Sequence, residues 1–475
     1  MSCPRAIEAG MAEQGREQDE GLLRVIGTGA LGLSVVNMVV GAGIFVLPGR
    51  VAAQLGSAAI LAYLVCSALI VLVFLCFAEI GSRVSRSGGA YAYVEEAFGP
   101  FAGFIASTLF WFGYAAISDA AITVAMVETM ALAFPVLSET IPRSIFIVAL
   151  FAFLAIVNVR GVRNGVRLYV LNTVIKIAPL LLLLAAGIFV VDVDNLVIKE
   201  WPSPGEIGAG AILLFFAFSG AESALCASGE IRNPARTVPL GLMLGISSLL
   251  VLYVGLQTVA QGVLGPELAS NTEAPLVAVA NEVLGEWGGK MLLVAVVLAI
   301  FGAVSGDMLG GPRVIFASAL DDNLPRIFAR VHPAYRTPHV AIMFYATVIV
   351  IFALSGTFKY LAMFAGGALL LVDLGVCLAV LRLRQRDGLP LPGQFRLPLG
   401  PVIPLAGCAV LLWLLLQLPA DEAISIAILT GAAGIAYALR AVLRRPAGEP
   451  VVPAVVPVET GTAARPARGG PGQPQ

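Results

Sequence analysis

Runs of apolar residues dominate the chain and are separated by short polar stretches. A helix that crosses a bilayer needs about 20 predominantly apolar residues. Twelve runs meet or approach that length: residues 28–50, 56–80, 101–131, 143–159, 168–191, 207–229, 238–262, 275–309, 338–355, 359–381, 402–419 and 422–443. Few carry the period-2 alternation of a barrel strand, so the pattern predicts an all-α integral membrane protein with twelve transmembrane helices. Residues 25–445 then form one transmembrane domain. An N-terminal tail, 1–24, lacks the basic start and apolar core of a signal peptide and reads as cytosolic. The last 30 residues, 446–475, hold seven prolines and read as a disordered cytosolic tail.

Composition agrees with the pattern. Of 475 residues, 59% are hydrophobic and 12% charged, against about 25% charged in a soluble domain. The net charge of −1 implies no polyanionic partner, so nucleic acid is excluded. The six cysteines are scattered and the only histidines are His332 and His339. Neither a metal site nor a His-based catalytic centre is expected, and no cofactor is implied. Gly289-Lys290 is followed by Met291, so there is no phosphate-binding loop for ATP. The reading is therefore of a non-enzyme.

Arginine and lysine placement sets the orientation. Connections after even-numbered runs, with the segment after run 12, hold eighteen basic residues, among them Arg83, Arg86, Arg160, Arg163, Arg232, Arg313, Arg384 and Arg444. The other side holds five: Arg50, Arg143, Lys199, Lys290 and Lys359. That asymmetry predicts a multi-pass protein of the plasma (inner) membrane with both termini in the cytosol.

Two runs contain features a plain helix would not choose. The first reads Asn37-Met38-Val39-Val40-Gly41-Ala42-Gly43-Ile44-Phe45 and the sixth Phe215-Phe216-Ala217-Phe218-Ser219-Gly220-Ala221-Glu222. A mid-helix glycine costs roughly 1 kcal/mol against alanine. Taken singly, either segment reads equally well as a close helix-packing site. They occupy matching positions if runs 1–5 and 6–10 are two repeats, and matched interruptions point to a transporter's binding site. Freed amides after the first break would bind a carboxylate. Freed carbonyls at the sixth would bind an ammonium group, and together they fit an α-amino acid.

These residues resemble a known family. Val40 to Gly49, Phe77-Ala78-Glu79-Ile80-Gly81 through Ser87-Gly88-Gly89-Ala90-Tyr91 to Pro100, Phe216 to Glu222 with Glu230-Ile231-Arg232-Asn233-Pro234, and Pro312-Arg313 through Asp322-Asn323-Leu324-Pro325 are similar, in order, to signatures of the amino acid–polyamine–organocation superfamily. The resemblance covers residues 25–445. It implies a leucine-transporter-like 5+5 inverted repeat with helices 1 and 6 discontinuous. Repeat 1 spans about 28–191, repeat 2 about 207–381 and two extra helices about 402–443. It also implies amino acid or amine substrates moved by alternating access. Carried over by motif, the substrate carboxylate meets the amides of Ala42, Gly43 and Ile44 beside Gly41. The amine meets the carbonyls of Val39, Phe216 and Ser219 beside Ala217. Phe216 falls where related permeases use an aromatic gate. Pro312 departs from the aromatic of some cationic-substrate exchangers, so that part of the pocket is not carried over.

Ionisable groups in the membrane are costly and face the bundle interior. Lys176 lies where some proton-coupled members place a lysine in lieu of a sodium ion; the alternative is a structural lysine paired with a backbone carbonyl. Glu222 follows the sixth break and suits proton sensing or a tie to neighbouring helices. Asp119 falls near a pocket position and suits contact with a cationic side chain, proton carriage or an interhelical hydrogen bond. Glu128, Asp307 and Asp373 read as interhelical or helix-end carboxylates, Glu79 and Arg83 as a cytosolic gate or loop scaffold, and Gly306 with Gly310 as packing. The leading reading is secondary, proton-coupled amino acid uptake across the lipid bilayer, with no obligate protein partner. The rivals are an exchanger of cationic amino acids or polyamines and, in another class, a membrane amino acid sensor, against which the short tails argue.

Overall fold

The computed structural model describes residues 24, 26–84, 88–160, 165–320 and 324–443. The tails expected at 1–24 (Arg24 apart) and 446–475 lie outside the described residues, as do Arg86, Ser87, Arg163, Asp322, Asn323, Arg444 and Arg445. Among the described residues all regular structure is helical, apart from an isolated parallel bridge between Ile26 and Ile231.

The chain runs through α1 (Thr28–Val39), α2 (Ala42–Leu55), α3 (Ala59–Arg83) and the short α4 (Ala90–Phe98). Then α5 (Pro100–Thr108) passes through a π-helical stretch, Leu109–Ala116, into α6 (Ile117–Ala131). Next come α7 (Thr140–Arg160), α8 (Gly165–Gly187), α9 (Pro204–Phe218), the one-turn α10 (Ala221–Ala224) and α11 (Pro234–Leu264). The series ends with α12 (Pro275–Leu320), α13 (His339–Ser355), α14 (Phe358–Asp387), α15 (Val402–Leu415) and α16 (Ala420–Leu443).

Eight helical stretches among the described residues are long and apolar enough to cross a membrane: Ala42–Arg83, Pro100–Ala131, Thr140–Arg160, Pro204–Ala224, Pro234–Ser270, Pro275–Leu320, Phe358–Asp387 and Ala420–Arg440. Four shorter apolar helices accompany them: Thr28–Val39, Thr173–Gly187, His339–Ser355 and Val402–Leu415. The chain is a membrane protein with several apolar helices. Two layers separate by exposure. The α9 helix is buried on nearly all sides, whereas α7 and α16 turn Ile141, Ile145, Phe153, Ile424, Ile428 and Ile435 outward. Such a belt of exposed isoleucine is stable only against hydrocarbon.

Local chemistry explains several boundaries. Ser203 Oγ accepts the Glu206 N–H at 3.3 Å, and Glu206 Oε2 accepts the Ser203 N–H at 2.7 Å, with Pro204 at the first helical position. This reciprocal cap satisfies two otherwise orphaned donors and fixes the start of α9. Helices α1 and α11 approach closely because a Cβ on Gly241 would strike Leu31 at 2.7 Å. The run expected to end at 309 instead continues to Leu320 through Pro312, after a kink at Gly285 with φ 72°. A membrane helix tolerates proline where neighbours re-satisfy the freed carbonyl.

Candidate functional site

The two sequence-predicted breaks abut one another. The first helix stops at Val39 and restarts at Ala42; the sixth stops at Phe218 and restarts at Ala221, with Gly220 at φ 115°. A Cβ on Gly43 would lie 2.7 Å from Ala217 Cα, and one on Gly220 would lie 2.8 Å from Met38 O. Glycine at both places therefore permits a backbone-to-backbone approach that any side chain would force apart.

The exposed backbone groups divide as helix geometry dictates. No side chain caps α2 at Gly41, so the first amides, those of Ala42, Gly43 and Ile44, keep no intrahelical partner. On Gly41 a Cβ would find only Val39 O, at 3.9 Å, so its open side faces space. The carbonyls are more committed than the sequence suggested. Val39 O accepts the Gly41 N–H at 2.7 Å and the Tyr253 hydroxyl at 3.1 Å. Phe216 O accepts Ser219 Oγ at 2.6 Å, and Ala217 O accepts the same Tyr253 hydroxyl at 3.1 Å. All of these residues except Gly41 are buried.

The charged candidates sit around this crossing. Lys176 is buried in α8 and donates its ammonium to Asn37 O, in the last turn of α1. Glu222 is buried in α10; its Oε2 accepts the Gly220 N–H at 2.8 Å, while Oε1 has no partner. Asp119 is buried in α6, accepts the Tyr345 hydroxyl at 2.9 Å, and faces Asp307 of α12. Tyr114, on the π-helical stretch, reaches Ser219 and Gly220 from the other side. A π turn re-aims such a side chain by one position, and these turns recur at functional sites.

Three features were not visible in the sequence. Tyr253 stands in an apolar run, and nothing near it in sequence marks its hydroxyl's partners, Val39 and Ala217. Gly306 and Gly310 were expected to pack, but no neighbouring-helix atom lies within 4 Å of a Cβ on either. The packing glycine is Gly311, against the Tyr345 ring at 2.6 Å, and the other two line open space with the exposed Asp307. The third feature is a stack at one mouth of the crossing. Phe216 meets Phe358 edge-to-face at 5.9 Å, and Arg50 lies 4.6 Å over the Phe358 ring while pairing with Glu128 at 2.7 Å. A separate cleft of about 540 Å³, against Gln54, Asn195, Trp201 and Gln261, contains none of the predicted site residues.

Comparison with known proteins places the sequence among transporters. A family described as "Amino acid permease" matches residues 26–439. The serine/threonine exchanger SteT of Bacillus subtilis (strain 168) is 29% identical over 343 residues, covering 71% of this chain and 78% of its own. The branched-chain amino acid permease BcaP of the same organism is 26% identical, over 84% of this chain and 89% of its own. A methylthioribose transporter, also from that organism, is 26% identical over 89% and 95% respectively.

Proposed function

The chain belongs to the amino acid permease family, and from that premise we propose that it moves amino acids across the plasma membrane by alternating access, as proton-coupled uptake. Its family and relatives are transporters, not enzymes. The proposal includes twelve spans in a 5+5 inverted repeat, with both termini cytosolic.

One observation carries the reading: two helix interruptions meet, one presenting uncapped amides and the other a carbonyl edge. An α-amino acid has the matching pair of charges, a carboxylate for Ala42, Gly43 and Ile44 and an ammonium for the edge at Val39, Phe216 and Ser219. The Phe216–Phe358–Arg50 stack then serves as the closed mouth on the non-cytosolic side. Lys176 takes the coupling role, because its ammonium already bonds the carbonyl at the end of α1 and any change in that bond moves the break. Glu222, bonded to the Gly220 amide, does the same for the sixth helix.

The test is uptake of labelled L-serine, L-leucine and L-lysine into proteoliposomes, with and without an inward proton gradient. Accumulation above equilibrium with the gradient supports coupling, and Lys176→Ala should reduce it to passive equilibration. Accumulation that Lys176→Ala leaves intact overturns the lysine's role.

A second reading rests on Asp307. Its carboxylate bonds Asp119 and lies near Lys176, so two carboxylates share one ammonium there, which favours a substrate with an additional cationic group, as in an exchanger of cationic amino acids or polyamines. Counterflow of labelled lysine without a proton gradient, abolished by Asp307→Asn, would favour the exchanger.

A further inference from the structure

Asp373 stands in the middle of α14, and its side chain is fully buried. Neither carboxyl oxygen has a hydrogen-bond partner among the described residues. The sequence reads this residue as an interhelical tie, yet the group ties nothing. The titratable groups against it are Glu222 of α10 and Cys76 of α3, with Cys377 one turn further along α14. Other elements near α14 turn their ionisable groups elsewhere. Tyr114 of the π-helical stretch meets Ser219, Asp119 of α6 meets Tyr345, and Tyr93 of α4 meets Gly81. An ionised carboxylate in that setting would lack the compensation that a buried charge requires in a membrane. Asp373 is therefore a neutral carboxylic acid in this structure and holds a proton.

Its depth gives that proton a use. A Cβ placed on Gly366 of α14 would lie 3.9 Å from Phe215 and Phe216, beside the sixth break. At 1.5 Å per residue, Asp373 lies about 10 Å further along the helix, and Arg384 of the pair with Glu79 about 16 Å beyond it. Glu222 accepts the Gly220 N–H at 2.8 Å, and its Oε1 has no partner. One carboxyl thus stands between Glu222 and the end of α14 that holds the ion pair. Two neighbouring buried carboxylates do not both ionise. Glu222 has an amide to steady a negative charge and Asp373 has none, so the proton they share rests on Asp373.

We propose that Asp373 is the exit site of the coupling proton, taking it from Glu222 and giving it to cytosolic water. The first transfer breaks the O–H bond of the Glu222 carboxyl and forms one on Asp373, so one carboxylate replaces the other. The second breaks the Asp373 O–H bond and leaves a hydronium ion in the cytosol. Water that enters when the Glu79–Arg384 end opens solvates the new carboxylate and permits this release. Glu222 is then reprotonated from the opposite side. The inference rests on the reading of the chain as a proton-coupled carrier.

The test encloses a pH-sensitive dye in proteoliposomes. It follows proton entry on addition of whichever of L-serine, L-leucine and L-lysine the unaltered protein takes up. Asp373→Asn is a neutral isostere of the acid. It should melt with the unaltered protein and keep counterflow of labelled substrate. Substrate-driven proton entry should fall to the level of empty vesicles, and accumulation above equilibrium should be lost.

Unchanged proton entry in Asp373→Asn would overturn the proposal. Joint loss of counterflow and proton entry would also overturn it, as would failure of the variant to fold by size-exclusion chromatography, since each makes Asp373 structural. Absence of substrate-driven proton entry in the unaltered protein would instead remove the proton-coupled reading, and this inference with it.

Discussion

At the start of α3, Arg50 of the preceding helix reaches Glu128 through one nitrogen at 2.7 Å. Both side chains keep contact with solvent, at 19% and 24% exposure. Arg50 divides its charge further, donating to Thr272 O at 3.2 Å and lying over Phe358. At the other end of α3, Glu79 is fully buried and takes both nitrogens of Arg384, at 2.7 and 2.5 Å. The same carboxylate accepts the Leu397 N–H at 2.8 Å. One cluster is a loose pair with spare partners; the other is a forked clamp whose every oxygen is used. The difference teaches which pair is cheaper to break. A solvated pair breaks at small cost, whereas separating a buried pair strands a charge.

Substitutions can test that contrast in order of severity. Glu79→Gln should be the most damaging, since it removes a fully buried carboxylate from the half-buried Arg384 and from the Leu397 N–H. A loss of roughly 3–5 kcal/mol is expected, read as a large fall in melting temperature in detergent. Arg384→Lys keeps the charge but not the planar fork, and should cost about 1–3 kcal/mol. Equal melting of this variant and the unaltered protein would show that the fork contributes nothing. Glu128→Gln should change stability by less than about 1 kcal/mol, while altering the rate of labelled amino acid exchange. A destabilisation as large as that of Glu79→Gln would erase the distinction between the two ends. Lys290→Ala removes a pair with Glu286 that is 72% and 82% exposed, and should leave both melting and transport unchanged.

Much of this architecture was legible because apolar run length and glycine placement are local. Gly41 and Gly43 mark the first interruption, and Ser219-Gly220 the sixth, without knowledge of any neighbour. The carbonyl partner of Lys176 was one of two readings open from its position, since a buried ammonium needs an acceptor. What could not be read depends on which helix faces which. Tyr253 bonds Val39, 214 positions away, and Ala217, 36 away. The eighth run, expected to end at 309, continues as helix to Leu320 through Gly310-Gly311-Pro312. There Gly311 packs on the Tyr345 ring, a contact that its sequence position does not announce. Glu79 was expected to gate or brace the cytosolic side, but its anchor to Leu397 lies 318 positions away and leaves no mark in sequence.

The open flank of α12 has a practical consequence. Gly306 and Gly310 have room for a side chain, and four of the five described cysteines are buried, Cys226 being partly so. A cysteine placed at either glycine would be the most accessible thiol of the described chain. A membrane-impermeant maleimide, applied from one side at a time, would attach there only if water reaches that face. The bare groove along this helix thus offers an attachment point from which the transporter's open side can be tracked by chemistry alone.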